Sequence, residues 1–170
     1  MSRKSSASTS DENLGQRTVA TSVIRDTGTK VQLMFKAHGL KKRKSLFNTI
    51  VTVFKKVCLN ASSLQPSTPS RLLSNGKFTK FDLRPHSISF ILEVQTEKKL
   101  KKGNNNRVET FACEIKQFPT SVNPDSAEFE VLEPASGECF ILLSLIKMDN
   151  LAVNWKEFLE SNGTLDVTCI

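Results

Sequence analysis

Gly39-Leu40-Lys41-Lys42-Arg43-Lys44-Ser45-Leu46-Phe47-Asn48-Thr49-Ile50-Val51-Thr52-Val53-Phe54-Lys55-Lys56-Val57-Cys58-Leu59-Asn60 is the stretch on which the fold class turns. Ser45 is a good helix N-cap, and Phe47, Ile50, Val51, Phe54, Val57 and Cys58 recur at helical spacing, with Asn48, Thr52, Lys55 and Lys56 on the other side. The β-branched run Thr49 to Val53 lowers helix propensity and leaves a strand open. Length favours the helix, because the fifteen residues from Ser45 to Leu59 are long for a strand. Lys55 and Lys56 then fall in the last turns, where cations suit the negative end of the helix dipole. Just upstream, Lys41 to Lys44 is an unbroken run of four cations.

The segments on either side read as strands. Arg17 to Arg25 is β-branched, Asp26-Thr27-Gly28 is turn chemistry, and Thr29 to Ala37 alternates. Val31, Leu33, Phe35 and Ala37 share one face of that run, and Lys30, Gln32 and Lys36 the other, so a β-hairpin is expected. Downstream, Ala61 to Lys77 carries Pro66, Pro69 and Ser74-Asn75-Gly76 and reads as a long mobile loop. Phe78 to Leu83, Ser87 to Thr96, Val108 to Phe118, Ala127 to Glu133 and Cys139 to Met148 read as further strands. The last of these is apolar on both faces, as in a central strand. Glu97 to Asn106 reads as a basic hairpin tip, Asn154 to Ser161 as a short helix with Trp155, Phe158 and Leu159 on one side, and Thr164 to Ile170 as a closing strand. The expectation is an α+β fold: an antiparallel sheet packed on one main amphipathic helix and a short C-terminal helix. A polar, disordered arm over residues 1–16 precedes a single globular domain over 17–170, with its mobile loop at 61–77.

At 170 residues the chain can bury a core without staples, and its eleven Phe, one Trp and no Tyr make that core phenylalanine-rich. The basic start lacks an apolar h-region, which points to the cytosol or nucleus. Cys58, Cys113, Cys139 and Cys169 are far apart and read as small apolar residues of a reducing compartment. His38 and His86 are not spaced with other ligands for zinc. No nucleophile–base arrangement, phosphate-binding loop or dinucleotide fingerprint is present. No catalytic residue, metal ligand or cofactor is therefore assigned, and a non-enzymatic protein is expected.

Charge carries the functional reading. Residues 1–60 hold twelve Lys/Arg against three Asp/Glu, residues 61–106 eight against three, and residues 107–170 four against eleven. This gives a positive pole for an anionic partner and a negative pole that could meet the positive pole of another copy. The binding candidates are Lys41, Lys42, Arg43, Lys44, Lys55, Lys56, Lys98, Lys99, Lys101 and Lys102. Anionic lipid headgroups and RNA phosphates are both candidate partners. The basic tips carry Leu40 and Leu100 but no aromatic stacking platform, which leans toward lipid or non-specific backbone contact.

The order of a polar basic arm, a strand with a basic tip from Lys30 to Ala37, an amphipathic segment from Ser45 to Leu59, a Pro/Ser loop and a meander of strands resembles the matrix proteins of rhabdoviruses, particularly the small basic ones of plant-infecting members. The resemblance spans about residues 15–170. It implies a virion protein that lines the inner face of a membrane, binds the viral nucleoprotein–RNA complex and self-associates, found in host cytoplasm, endomembrane or nucleus. A Pro-Pro-x-Tyr or Pro-Ser/Thr-Ala-Pro budding motif, carried by animal-virus members, is absent, since the chain has no Tyr and Gln65 to Ser70 fits neither. Two other readings stay open: a nucleic-acid-binding viral accessory protein, such as a movement protein or silencing suppressor, and a cellular lipid-binding regulatory module.

Overall fold

The computed structural model describes residues 15–43, 69–100, 103–149 and 152–165; over 97–100 and 103–106 it describes backbone pairing alone. Eight strands run in order: β1 (Gln16–Thr18), β2 (Ala20–Asp26), β3 (Lys30–Lys36), β4 (Gly76–Arg84), β5 (Ser87–Leu100), β6 (Gly103–Ile115), β7 (Val122–Leu132) and β8 (Phe140–Lys147). They form two four-stranded sheets, of order β1-β6-β5-β4 and β2-β3-β8-β7. Among the described residues the helical elements are a 3-10 turn at Pro69–Leu72 and α1 (Trp155–Ser161).

The expected α+β class is thus corrected to a predominantly β architecture, a sandwich of two sheets, and no long amphipathic helix occurs among the described residues. The helix expected from Ser45 to Leu59 lies outside them. The physical reason for the correction is that each dry sheet face is covered by the other. Val31, Leu33 and Phe35 of β3 and Ile141, Leu143 and Leu145 of β8 are buried against Ile88, Phe90 and Leu92 of β5 and Phe111, Cys113 and Ile115 of β6. Phe35 meets Phe90 edge-on at 5.1 Å between ring centroids, and Phe81 of β4 meets Phe129 of β7 at 5.5 Å. Such edge-to-face pairs add about 0.5–1.5 kcal/mol each to simple burial. A core closed this way is made by sheet on sheet among the described residues.

Residues 17–25 form two strands in different sheets. β1 pairs parallel with β6, Val19 donates its N–H to Ala112 O at 2.8 Å, and β2 then pairs antiparallel with β3. Gln16, assigned to the polar arm by its composition, is the first residue of β1. The expected hairpin tip at 97–106 is mostly strand, with β5 and β6 paired as far as Leu100 and Gly103. β7 starts at Val122 and includes Pro124, which an edge strand with a register shift between Asn123 and Glu128 tolerates.

One end of the sandwich is plugged by α1. Asn154 caps it, accepting from Glu157 N at 3.2 Å, and Trp155 and Leu159 are fully buried. Trp155 packs on Phe118 at 5.0 Å and donates its indole N–H to Thr120 Oγ1 at 3.2 Å. The other end holds the turn after β3 and the open ends of β5 and β6, and there the candidate site lies.

Candidate anion-binding pole

The turn leaving β3 needs Gly39, which has φ of 76° and whose missing Cβ would stand 2.7 Å from the Thr96 methyl on β5. This close approach brings residues 40–43 against the start of β4. Leu40 and Leu73 are buried as anchors, and Lys42 forms an isolated antiparallel bridge with Leu73. Arg43 N donates to Leu72 O at 2.9 Å, and Ser74 N to Lys41 O at 3.0 Å.

Asn75 ties these pieces together. Its Oδ1 accepts from Lys41 N at 2.8 Å, while its Nδ2 donates to Gly39 O and to Gln95 O, each at 2.8 Å. Its own carbonyl accepts from Gln95 N at 2.8 Å. One side chain therefore fixes the backbone of the basic segment to β5, just before the strand continues into Lys98 and Lys99. Those two residues pair with Asn105 and Asn104 of β6.

The fold thus brings together Lys41, Lys42 and Arg43 with the base of the hairpin that carries Lys98 and Lys99. Lys41 and Arg43 are exposed and Lys42 half-buried. Lys44, Lys55, Lys56, Lys101 and Lys102 lie outside the described residues. Two arginines that no charge run marks stand at the same end. Arg17 Nη1 and Arg107 Nε share the Glu109 carboxylate at 3.0 and 3.6 Å, so three charged groups leave one net positive. The signal for them is the parallel pairing of β1 with β6 within one sheet, which sequence spacing does not carry.

Beside this pole a cleft of about 510 Å³ opens between the sheets, bounded by Arg17, Lys36, His38, Phe111 and Glu138. Lys36 Nζ is 2.6 Å from Glu138 Oε2. The Lys36 hydrogen bond and charge hold the Glu138 carboxyl below its usual range. Among the described residues no group of three or more His, Cys, Asp and Glu is placed to hold a metal ion, and no helix is long and apolar enough to cross a membrane. No family model, curated protein or solved structure is matched by this chain.

Proposed function

We propose that this protein is a non-catalytic, self-associating assembly protein of the viral-matrix kind, which lays its basic pole on an anionic membrane and engages nucleoprotein–RNA. The Asn75 clamp is the observation that carries this reading: it joins basic runs that lie more than fifty residues apart in the chain. Five cations, Lys41, Lys42, Arg43, Lys98 and Lys99, belong to that end. At about 1 kcal/mol per cation near an anionic surface, they supply on the order of 5 kcal/mol. That corresponds to a dissociation constant of a few tenths of a millimolar, so one copy adsorbs weakly and reversibly. Stable coverage then needs several copies acting together, which is why self-association belongs to the same reading.

Flotation with anionic and neutral liposomes at low and high salt, with and without single-stranded RNA, tests it. The expected result is flotation with anionic vesicles alone, lost at high salt and strongly reduced in the Lys41→Ala/Lys42→Ala/Arg43→Ala variant. Flotation unchanged by that triple substitution would remove the pole from the role. Tight, length-dependent RNA binding with no flotation would transfer the same cations to phosphate and favour the accessory-protein reading.

A further inference from the structure

The outer face of the sheet β2-β3-β8-β7 combines apolar side chains, some of them exposed, with charges of opposite sign at its two edges. Strand alternation puts Met34 of β3 and Phe140, Leu142 and Ile146 of β8 on that face, together with Lys30, Gln32, Lys36 and Ser144, back to back with the core residues of the same strands; Leu142 is 8% exposed and Ser144 7%. Ile146 is 46% exposed, Leu132 of β7 39% and Ile24 of β2 54%. The strand order β2-β3-β8-β7 sets Arg25 at one edge, opposite Gln32, and Glu128 and Glu130 at the other, opposite Ser144 and Leu142. Arg25, Glu128 and Glu130 are exposed; Arg25 and Glu130 take part in no ion pair of the described residues, and Glu128, in the same row as Arg25, shares only an exposed pair with Lys30 at 3.2 Å. The charge difference that runs along the sequence, basic first and acidic last, is folded here into the width of one sheet.

We infer that this face is a self-complementary docking surface for a second copy of the same chain. A two-fold axis parallel to the strands, between β3 and β8, lays β2 of one copy over β7 of its partner and β3 over β8. It keeps the register along the strands, so Arg25 of each copy falls on Glu128 of the other, twice over, with Glu130 two residues along, and Met34 of each falls on Leu142 of the other. An axis across the strands would instead put β2 over β2 and like charges together. The contact is isologous and closes at two copies. This inference deepens the self-association in the proposed function and rests on that reading, although the dimer can be tested without any membrane.

The size of the face sets the strength. Four strands about 4.8 Å apart and seven residues rising about 3.3 Å each give roughly 19 by 23 Å, or about 900 Å² over both partners. That is below the usual size of a stable complex and belongs to weak, reversible ones. Association is expected in the range of tens of micromolar, a level that a membrane surface would raise by concentrating the protein.

The test is a charge exchange read by sedimentation velocity over a concentration series. Arg25→Glu alone and Glu128→Arg alone are each expected to be monomeric at concentrations where the unaltered chain dimerises, because Arg25 and Glu128 share one row of the sheet and each change sets like charges together at both contacts. An equimolar mixture of the two variants is expected to form a heterodimer, since both contacts are again of opposite sign. Both positions are exposed, and melting curves matching the unaltered chain establish that folding is retained. A chain that stays monomeric to several hundred micromolar overturns the inference, as do single variants that dimerise normally or a mixture that fails to associate. Flotation of the single variants separates the two proposals: a monomeric variant that still reaches anionic vesicles leaves the pole intact, whereas a normal dimer that ignores them overturns the membrane role alone.

Discussion

Asp26→Asn removes the charge that neutralises a buried lysine at the plugged end of the sandwich. The Lys147 side chain is 1% exposed and its ammonium is paired with the Asp26 carboxylate, itself 19% exposed. The second carboxylate oxygen accepts from Trp155 N at 2.9 Å, tying the β2–β3 turn to the start of α1. Asparagine keeps the shape and an acceptor for Trp155, so the substitution isolates the charge. Breaking a buried pair by removing one partner costs about 3–5 kcal/mol. Because water reaches part of the carboxylate, the lower end applies, about 3 kcal/mol. With a urea dependence of about 2 kcal/mol per molar, the unfolding midpoint should fall by about 1.5 M. Lys147→Met should cost less, about 1–2 kcal/mol, because the remaining carboxylate keeps solvent and the Trp155 N–H. The double variant should return to within about 1 kcal/mol of the parent, since replacing both members of a buried pair is often neutral. Trp155 is the only tryptophan and sits in the plug, so its emission is the natural probe. A midpoint for Asp26→Asn within roughly 0.3 M of the parent, or a double variant equal to the sum of the singles, would refute the reasoning.

Other substitutions probe the remaining links. Gly39→Ala should cost about 1–2 kcal/mol for the left-handed backbone, with a further loss from the approach to Thr96, and adding Thr96→Ser should recover only the second part in urea melts. Full recovery would show that the backbone carries no strain. Ser22→Ala should stabilise by about 1 kcal/mol, because among the described residues Ser22 Oγ is buried without a hydrogen-bond partner. A loss of similar size in the same melts would count against that account. Burial pushes the Cys113 thiol from 9.0 up to about 12, so the folded chain holds this proton more tightly than the unfolded one. Its contribution to stability is complete below about pH 9 and is lost as pH rises toward 12. At pH 8 Cys113 should resist alkylation until urea unfolds the chain, as peptide mass spectrometry would record; alkylation of the native chain at the unfolded rate would contradict it.

Alternation made several strands legible. The dry faces of Val31, Leu33 and Phe35 and of Ile88, Phe90, Leu92 and Val94 are both buried. The turn between β2 and β3 falls at Thr27–Thr29, where Asp26-Thr27-Gly28 announces it, and α1 starts after the Asn154 cap. Composition misled where backbone pairing outweighed it. Lys98 and Lys99 with Asn104 and Asn105 look like a loop, yet they continue the ladder, because antiparallel hydrogen bonds engage the backbone whatever side chains it carries. Val122 to Ser126, with Asn, Pro and Asp, is held in the sheet by lying at its edge.

The candidate pole was half legible. The cations of residues 41–44 and 98–102 are plain as charge runs, but their relation depends on Asn75, an ordinary turn residue by sequence. Arg17 and Arg107 belong to the same end only because β1 pairs with β6 and Glu109 bridges them.

By itself the sequence determined which residues are apolar at alternating positions, where turns must fall, that the core is rich in phenylalanine, and that positive charge is concentrated early in the chain. These are local properties, set by side-chain chemistry and backbone preference within a few residues. Only the tertiary structure decided that a second sheet closes the core where a helix was expected, that the chain changes sheets at Val19, and that distant basic segments share one end while Arg25 and the acidic residues of β7 flank one face. Those outcomes depend on which dry face finds which partner and which backbone groups remain to be paired, and both are settled between residues far apart in sequence.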